Sequence, residues 1–182
     1  MASDTDRHSD MQQASDIQQA KRPVSAALAG PYGHPFHPIL VTVPIGAWVA
    51  SLVFDLGSHA VDDPDFLARG SVWLIGLGVL GALAAATLGF LDLFAIPTRT
   101  PAFRTALVHM SLNLAVTVAY ALNFWWRESG SGPHGSVPIG PLVLSIVTLA
   151  VLAVSGYLGG KLAYHYGVRV ADEATQAAGF RH

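Results

Sequence analysis

The chain has no cysteine. That removes disulfides, zinc–thiolate sites, cysteine-ligated iron–sulfur clusters and cysteine nucleophiles together, and it leaves the redox compartment open. Charge is also scarce. Asp, Glu, Lys and Arg make up 12% of the 182 residues, against 52% apolar residues; soluble domains carry roughly 25% charged residues. A net charge of −2 offers no basic surface for nucleic acid. The first 22 residues are rich in Asp, Ser and Gln and contain no apolar core, so the pattern of a secretory signal is absent. Residues 1–30 read as a disordered cytoplasmic tail, too polar to bury its own surface. Residues 169–182 read as a short cytoplasmic C-terminal tail.

Long apolar runs are what the chain does have. A helix crosses the hydrocarbon core with about 20 apolar residues, and four segments within residues 31–168 meet that length: about 38–60, 71–96, 105–126 and 139–164. The connections Val61–Gly70, Pro97–Arg104 and Arg127–Pro138 are short and rich in turn residues, which makes neighbouring helices antiparallel. The expected fold is an all-α membrane protein, a four-helix transmembrane bundle running up-down-up-down. One side collects Arg7, Lys21, Arg22, Arg99, Arg104, Lys161, Arg169 and Arg181; the other holds Arg69 and Arg127 beside Asp62, Asp63 and Asp65. Basic loops stay inside, so both termini are expected in the cytoplasm and the lipid bilayer is the first partner. Trp125 and Trp126 fit an interfacial aromatic belt.

Gly76, Gly78 and Gly81 spell G-x-G-x-x-G, the dinucleotide fingerprint. That fingerprint works only between a strand and a helix, and here it lies inside an apolar span. Close helix packing is the better reading, because small residues let membrane helices approach. Gly78–Ala82, Ala85–Gly89, Gly46–Ala50 and Gly156–Gly160 share the spacing, and can serve packing within one bundle or between subunits.

Ionisable groups inside a bilayer are costly and therefore functional candidates. Asp55 falls near the outer end of the first span and reads as a carboxylate reaching the outer interface. Asp92 sits a turn before Pro97, and His109 a turn into the third span with Asn113 four residues on, sharing its helix face. Adjacent antiparallel helices would bring Asp92 to His109, where a carboxylate can fix the imidazole tautomer. His34 and His37 precede the first span in Gly33-His34-Pro35-Phe36-His37-Pro38, and Pro44 frees a carbonyl near Leu40. With Lys161 near the end of the fourth span, these groups converge at one end of the bundle. Imidazoles there suit haem b or a transition metal, with His34, His37 and His109 as ligands and Asp92, Asn113 and Lys161 around them. The bland alternative is an interfacial turn and a hydrogen-bonded pair that ties two helices together.

The run from Gly33 to Trp48, Asp55 in Val53-Phe54-Asp55-Leu56, Gly89 and Asp92 ahead of Pro97, His109 with Asn113, and Ser155-Gly156-Tyr157-Leu158-Gly159-Gly160 together resemble the DUF2231 family of predicted bacterial membrane proteins. The resemblance covers roughly residues 30–170. It implies a multi-pass protein of a bacterial inner membrane. Because some relatives are joined to Rieske-type domains, it also implies a place near electron transfer with a redox or membrane-complex partner. Relatives usually carry histidine after the last Gly-Gly pair, where this chain has Lys161, which could instead neutralise Asp92 or bind an anionic headgroup. Three functions are therefore expected to compete: a haem- or metal-binding accessory, a small proton-coupled transporter or channel, and a non-catalytic assembly scaffold. An independent enzyme is disfavoured, since no nucleophile–base constellation is present.

Overall fold

Proline sets the entry to the first membrane helix. Pro35 is extended (φ −67°, ψ 143°) and α2 (Phe36–Leu40) starts directly after it. Pro44 cannot donate to the carbonyl four residues earlier and its ring crowds that carbonyl, so regular helix lapses at Val41 and resumes as α3 (Thr42–Gly57). Backbone bonds from Val41 N to His37 O and from Ile45 N to Val41 O carry the chain across the lapse, and α2 and α3 act as one rod. The computed structural model describes residues 4–25, 29–30, 35–129 and 134–180.

Three further long helices follow. α4 spans Asp65–Leu93 and ends ahead of Pro97. α5 spans Pro101–Glu128, with Pro101 in its first turn and the Thr100 hydroxyl accepting from Phe103 N at 3.1 Å, a proline-led N-cap. α6 spans Ile139–Tyr164. The rod Phe36–Gly57 and these three are long and apolar enough to cross a membrane. Each overlaps its expected segment; α4 extends beyond its own at the N-terminal end and α5 at both ends. Among the described residues there is no strand.

The helices pack in a ring, α3 on α4, α4 on α5, α5 on α6 and α6 back on α3. The connection Ser58–Pro64 and residues 129 and 134–138 lie at what we call the distal end. The α4–α5 connection lies at the proximal end, with the segments outside the bundle. The described parts of those segments are held by contacts with one another and with the bundle. α1 (Asp4–Lys21) occupies residues expected as a disordered tail, and its last turn explains the difference: Ala20 is buried, its carbonyl accepts from Arg169 N at 3.0 Å, and Lys21 pairs with Glu173. α7 (Glu173–Ala178) is capped by Asp172, which accepts from Thr175 N. Gly167 and Arg169 both take positive φ, 69° and 58°, and so turn the chain after α6 back over the bundle.

Midway along the bundle, Trp48, Ile75, Val116 and Tyr120 form the apolar core. The Trp48 and Tyr120 rings stack across it with centroids 4.3 Å apart and planes 10° apart. Gly78 makes this possible: a Cβ there would lie 2.3 Å from Trp48 Nε1, so the indole occupies the space a side chain would need. Its N–H donates to Ile75 O at 3.3 Å. Gly81 likewise admits Val43, 2.8 Å from a notional Cβ. The glycine fingerprint is thus a packing surface. Gly46 and Gly156 meet nothing within 4 Å and face outward, among exposed residues such as Val49, Val154 and Tyr157.

Candidate functional site

Two polar layers lie on either side of this core. The distal one was not expected as a unit. Asp55 is fully buried and Arg127, in the last turn of α5, is 8% exposed. The guanidinium grips the carboxylate with both arms, Nη1 to Oδ1 and Nη2 to Oδ2, each at 2.7 Å. Ser71 donates to Asp55 Oδ1 at 2.5 Å. Arg127 Nε donates to Asn123 Oδ1 at 2.8 Å and Nη2 to Ser145 Oγ at 3.2 Å; Asn123 donates in turn to Ser145 Oγ at 3.0 Å and to Pro141 O at 3.1 Å. One ion pair therefore ties α3, α4, α5 and α6 together. No buried side-chain polar atom among the described residues is left without a partner.

The reading of Asp55 as an interfacial carboxylate is corrected here, together with the placement of Arg127 in a connection. The helix α5 continues two residues past the expected end of its span, to Glu128, and that extension holds Arg127 inward at the depth of Asp55. A planar guanidinium meeting a carboxylate two-on-two satisfies both groups, so neither has to reach water. The signal in the sequence was the i, i+4 pair Asn123–Arg127 facing a lone carboxylate near the same end of the bundle.

The proximal layer holds the candidate ligands. His37 Nδ1 lies 2.9 Å from Ala85 O, and His109 Nδ1 lies 2.8 Å from Ser155 O. A carbonyl only accepts, so each imidazole carries a proton on Nδ1, and in the neutral form its Nε2 is the ring's acceptor. The two rings meet edge to face, centroids 6.5 Å apart and planes at 88°. Glycine makes room for each: a Cβ at Gly89 would stand 2.9 Å from His37 Cε1, and one at Gly159 would stand 3.0 Å from His109 Cε1. The expected packing pair Ala85–Gly89 thus serves a histidine, its first member through the carbonyl and its second through the missing side chain. Asn113 Nδ2 lies 3.1 Å from His109 Nε2 and donates to it.

Of the residues grouped at this end by sequence, His37, His109 and Asn113 come together. Asp92 does not meet His109; it accepts from Arg169 Nε at 3.0 Å. The reason is the return of the chain through Gly167 and Arg169, which brings a cation, a stronger partner than a neutral imidazole, over the end of α4. Among the described residues, His37 is the histidine within electrostatic range of Asp92. Lys161 places its ammonium 5.5 Å from the Tyr166 ring centroid, a cation–π contact, while Asp92 takes Arg169. His34 lies outside the described residues. No group of three or more His, Asp or Glu side chains placed to hold a metal occurs among the described residues. Ser155, whose hydroxyl also donates to His109 O at 3.2 Å, and Arg169 were missed by sequence reasoning. A serine in an apolar span carries little signal, and Arg169 lies in the tail.

Residues 33–172 match the family DUF2231, described as a predicted membrane protein. No curated protein and no solved structure matches the chain.

Proposed function

The chain belongs to the DUF2231 family of predicted membrane proteins, and we propose that it serves membrane electron transfer as an accessory subunit whose His37–His109 pair is a two-imidazole ligand site. The observation that carries this reading is the pinning of both rings. A metal-ligating histidine almost always gives its other ring N–H to a carbonyl, carboxylate or water, which fixes tautomer and orientation. His37 and His109 both do so, from facing positions 6.5 Å apart. Imidazole pairs suit haem iron, copper or zinc. His37 would contribute Nε2 as it stands, and His109 would contribute Nε2 in exchange for its hydrogen bond from Asn113. His34, adjoining the start of α2 in sequence, is the candidate third donor. A bound haem or redox metal would supply one-electron transfer at this depth. The chain's own groups would hold the rings, exclude water, and set the local charge through Asp92 and Arg169.

Orientation and location belong to the same proposal: a bacterial plasma membrane, with both termini and the proximal end cytoplasmic. The bias of Lys and Arg supports it. Arg127 is neutralised by Asp55 inside the bundle, so Arg69 is the one remaining basic residue on the distal side, against eight proximal ones.

An assembly scaffold is the second reading, favoured by the Asn113 hydrogen bond that leaves His109 neutral and satisfied at both nitrogens. A transporter within a single bundle is less favoured, since the stacked Trp48–Tyr120 layer and the Asp55–Arg127 pair both lie across its axis. The test is an absorption spectrum with elemental analysis of the detergent-purified protein, expressed with iron and haem precursor supplied. A Soret band or near-stoichiometric metal, lost in both His37→Ala and His109→Ala, is the expected result. A well-folded protein free of colour and metal overturns the ligand reading and leaves the scaffold.

A further inference from the structure

The seam between α4 and α5 opens into a groove on its distal half, and the contents of its walls are specific. Its floor is Gly76, with the Phe124 ring 3.1 Å from where a Cβ would stand. Its sides are apolar, with Trp73 82% exposed and Leu80 68% exposed. Its distal rim carries one cation and one anion, Arg69 on α4 and Glu128 on α5. Both are exposed, and among the described residues neither is in an ion pair. Asp65, a turn before Arg69, lies within its electrostatic range without an ion pair and takes its close contacts from Gly135 N at 2.7 Å and His134 Nδ1 at 3.4 Å.

We propose that this groove binds one zwitterionic glycerophospholipid, with an acyl chain along Gly76 and Phe124, the phosphate on Arg69 and the headgroup ammonium on Glu128. Length fits this occupant. From Arg69 to Leu80 the helix advances about 16 Å at 1.5 Å per residue, close to one leaflet's share of a hydrocarbon core about 30 Å thick. Charge fits as well. A rim bearing a guanidinium and a carboxylate matches a headgroup with a phosphate and an amine. An anionic phosphoglycerol headgroup would meet Glu128 as a like charge. Trp73, one turn inward from Arg69, places an indole at the glycerol level, where amphipathic rings settle. The proposal depends on membrane residence alone, and stands or falls separately from the histidine site.

Native mass spectrometry of the whole protein, released from mild detergent after exchange into phosphatidylethanolamine or phosphatidylglycerol, tests it. The expected result is one retained phosphatidylethanolamine per chain and weaker retention of phosphatidylglycerol. Loss of the rim cation in Arg69→Gln should lower phosphatidylethanolamine retention about fivefold, the effect of about 1 kcal/mol for a basic residue at a lipid surface. Glu128→Gln should narrow the preference between the two lipids. Leu80→Trp, which fills the groove from an exposed position, should displace the lipid without moving the thermal midpoint. Equal retention of both lipids, unchanged in these variants, overturns the proposal in favour of ordinary annular lipid. A second copy or another helix cross-linked into the groove from Trp73 would overturn it too.

Discussion

Replacing Arg127 with methionine would strip the distal layer of its cation while keeping much of the apolar stem. Asp55 would lose two charge-assisted hydrogen bonds of 2.7 Å, each worth about 1.5–3 kcal/mol net. Asn123 Oδ1 and Ser145 Oγ would lose the donors now supplied by Nε and Nη2. Asp55 is fully buried and its side chain is too short to reach water, so the carboxylate would stay in place with Ser71 as its donor. Breaking a buried pair from one side costs about 3–5 kcal/mol, and that is the expected loss for Arg127→Met. Asp55→Leu should cost less, by about 1 kcal/mol or more, because the long arginine stem at the end of α5 can turn its head outward to the interface. The double variant leaves no stranded charge. Its loss should fall well short of the sum of the two single losses, with a coupling energy of about 2–3 kcal/mol, at the upper end for residues in one network.

The assay is a double-mutant cycle by reversible unfolding in mixed micelles of sodium dodecyl sulfate, followed by tryptophan fluorescence and circular dichroism. The Trp48–Tyr120 stack lies against the same bundle axis and gives a fluorescence signal for core integrity. If each single replacement costs under about 1 kcal/mol and the two effects add, Asp55 is solvated in the folded protein. The carboxylate would then occupy the interfacial position that its place in the span first suggests, and the four-helix tie would be refuted.

Gly78→Ala should destabilise by about 1–3 kcal/mol through overpacking, because the added methyl would fall 2.3 Å from Trp48 Nε1; Gly46→Ala, which meets nothing within 4 Å, should be neutral in the same thermal-midpoint assay. At the proximal end, the Lys21 hydrogen bond holds the Glu173 carboxyl below the ordinary glutamate range, and the Thr175 amide does the same for Asp172. Carboxyls lowered in the folded state stabilise it fully above their ordinary range and lose that effect as pH falls through the folded values. Hydrogen exchange across residues 167–178 should therefore quicken beyond the intrinsic rate as pH falls from 7 towards 3, and a flat protection profile would show that α7 is not docked through Lys21.

The four spans were legible because bilayer thickness fixes their length and hydropathy marks it, and the small residues at Gly78 and Gly81 announced close packing. At the proximal end the gathering of His37, His109 and Asn113 was legible, since Pro35 and Pro38 fix one histidine at the start of its helix and the short α4–α5 connection fixes the depth of the other, but the partner expected for His109 was Asp92, which the structure gives to Arg169. Partners chosen by the backbone were not legible. Nothing in the sequence marks Ala85 O and Ser155 O as imidazole acceptors, because every residue has a carbonyl. Arg169 was obscured for another reason: a residue in a polar tail reaches Asp92 only through two left-handed positions, Gly167 and Arg169 itself, and a left-handed arginine has no sequence signature. The N-terminal helix was obscured because its composition is polar throughout, and its one buried contact, Ala20, depends on the returning C-terminal segment.

The two polar layers differ in what they leave unused, and the proposed ligand site rests on that difference. In the distal layer the Asp55 carboxylate and the Arg127 guanidinium take one another two-on-two, with Ser71, Asn123 and Ser145 as donors and acceptors around them. A group so enclosed can hold helices together but has nothing to offer a ligand. In the proximal layer His37 spends one nitrogen on Ala85 O and keeps Nε2, and His109 can free its own Nε2 by the rotation of one amide. Apolar replacement of both Asp55 and Arg127 should accordingly leave the proximal layer's ligand spectrum, or its lack of one, unchanged, since the Trp48–Tyr120 core separates the two. If the double variant folds and yet alters the histidine site, the layers are coupled through that core, and the division of labour between them fails.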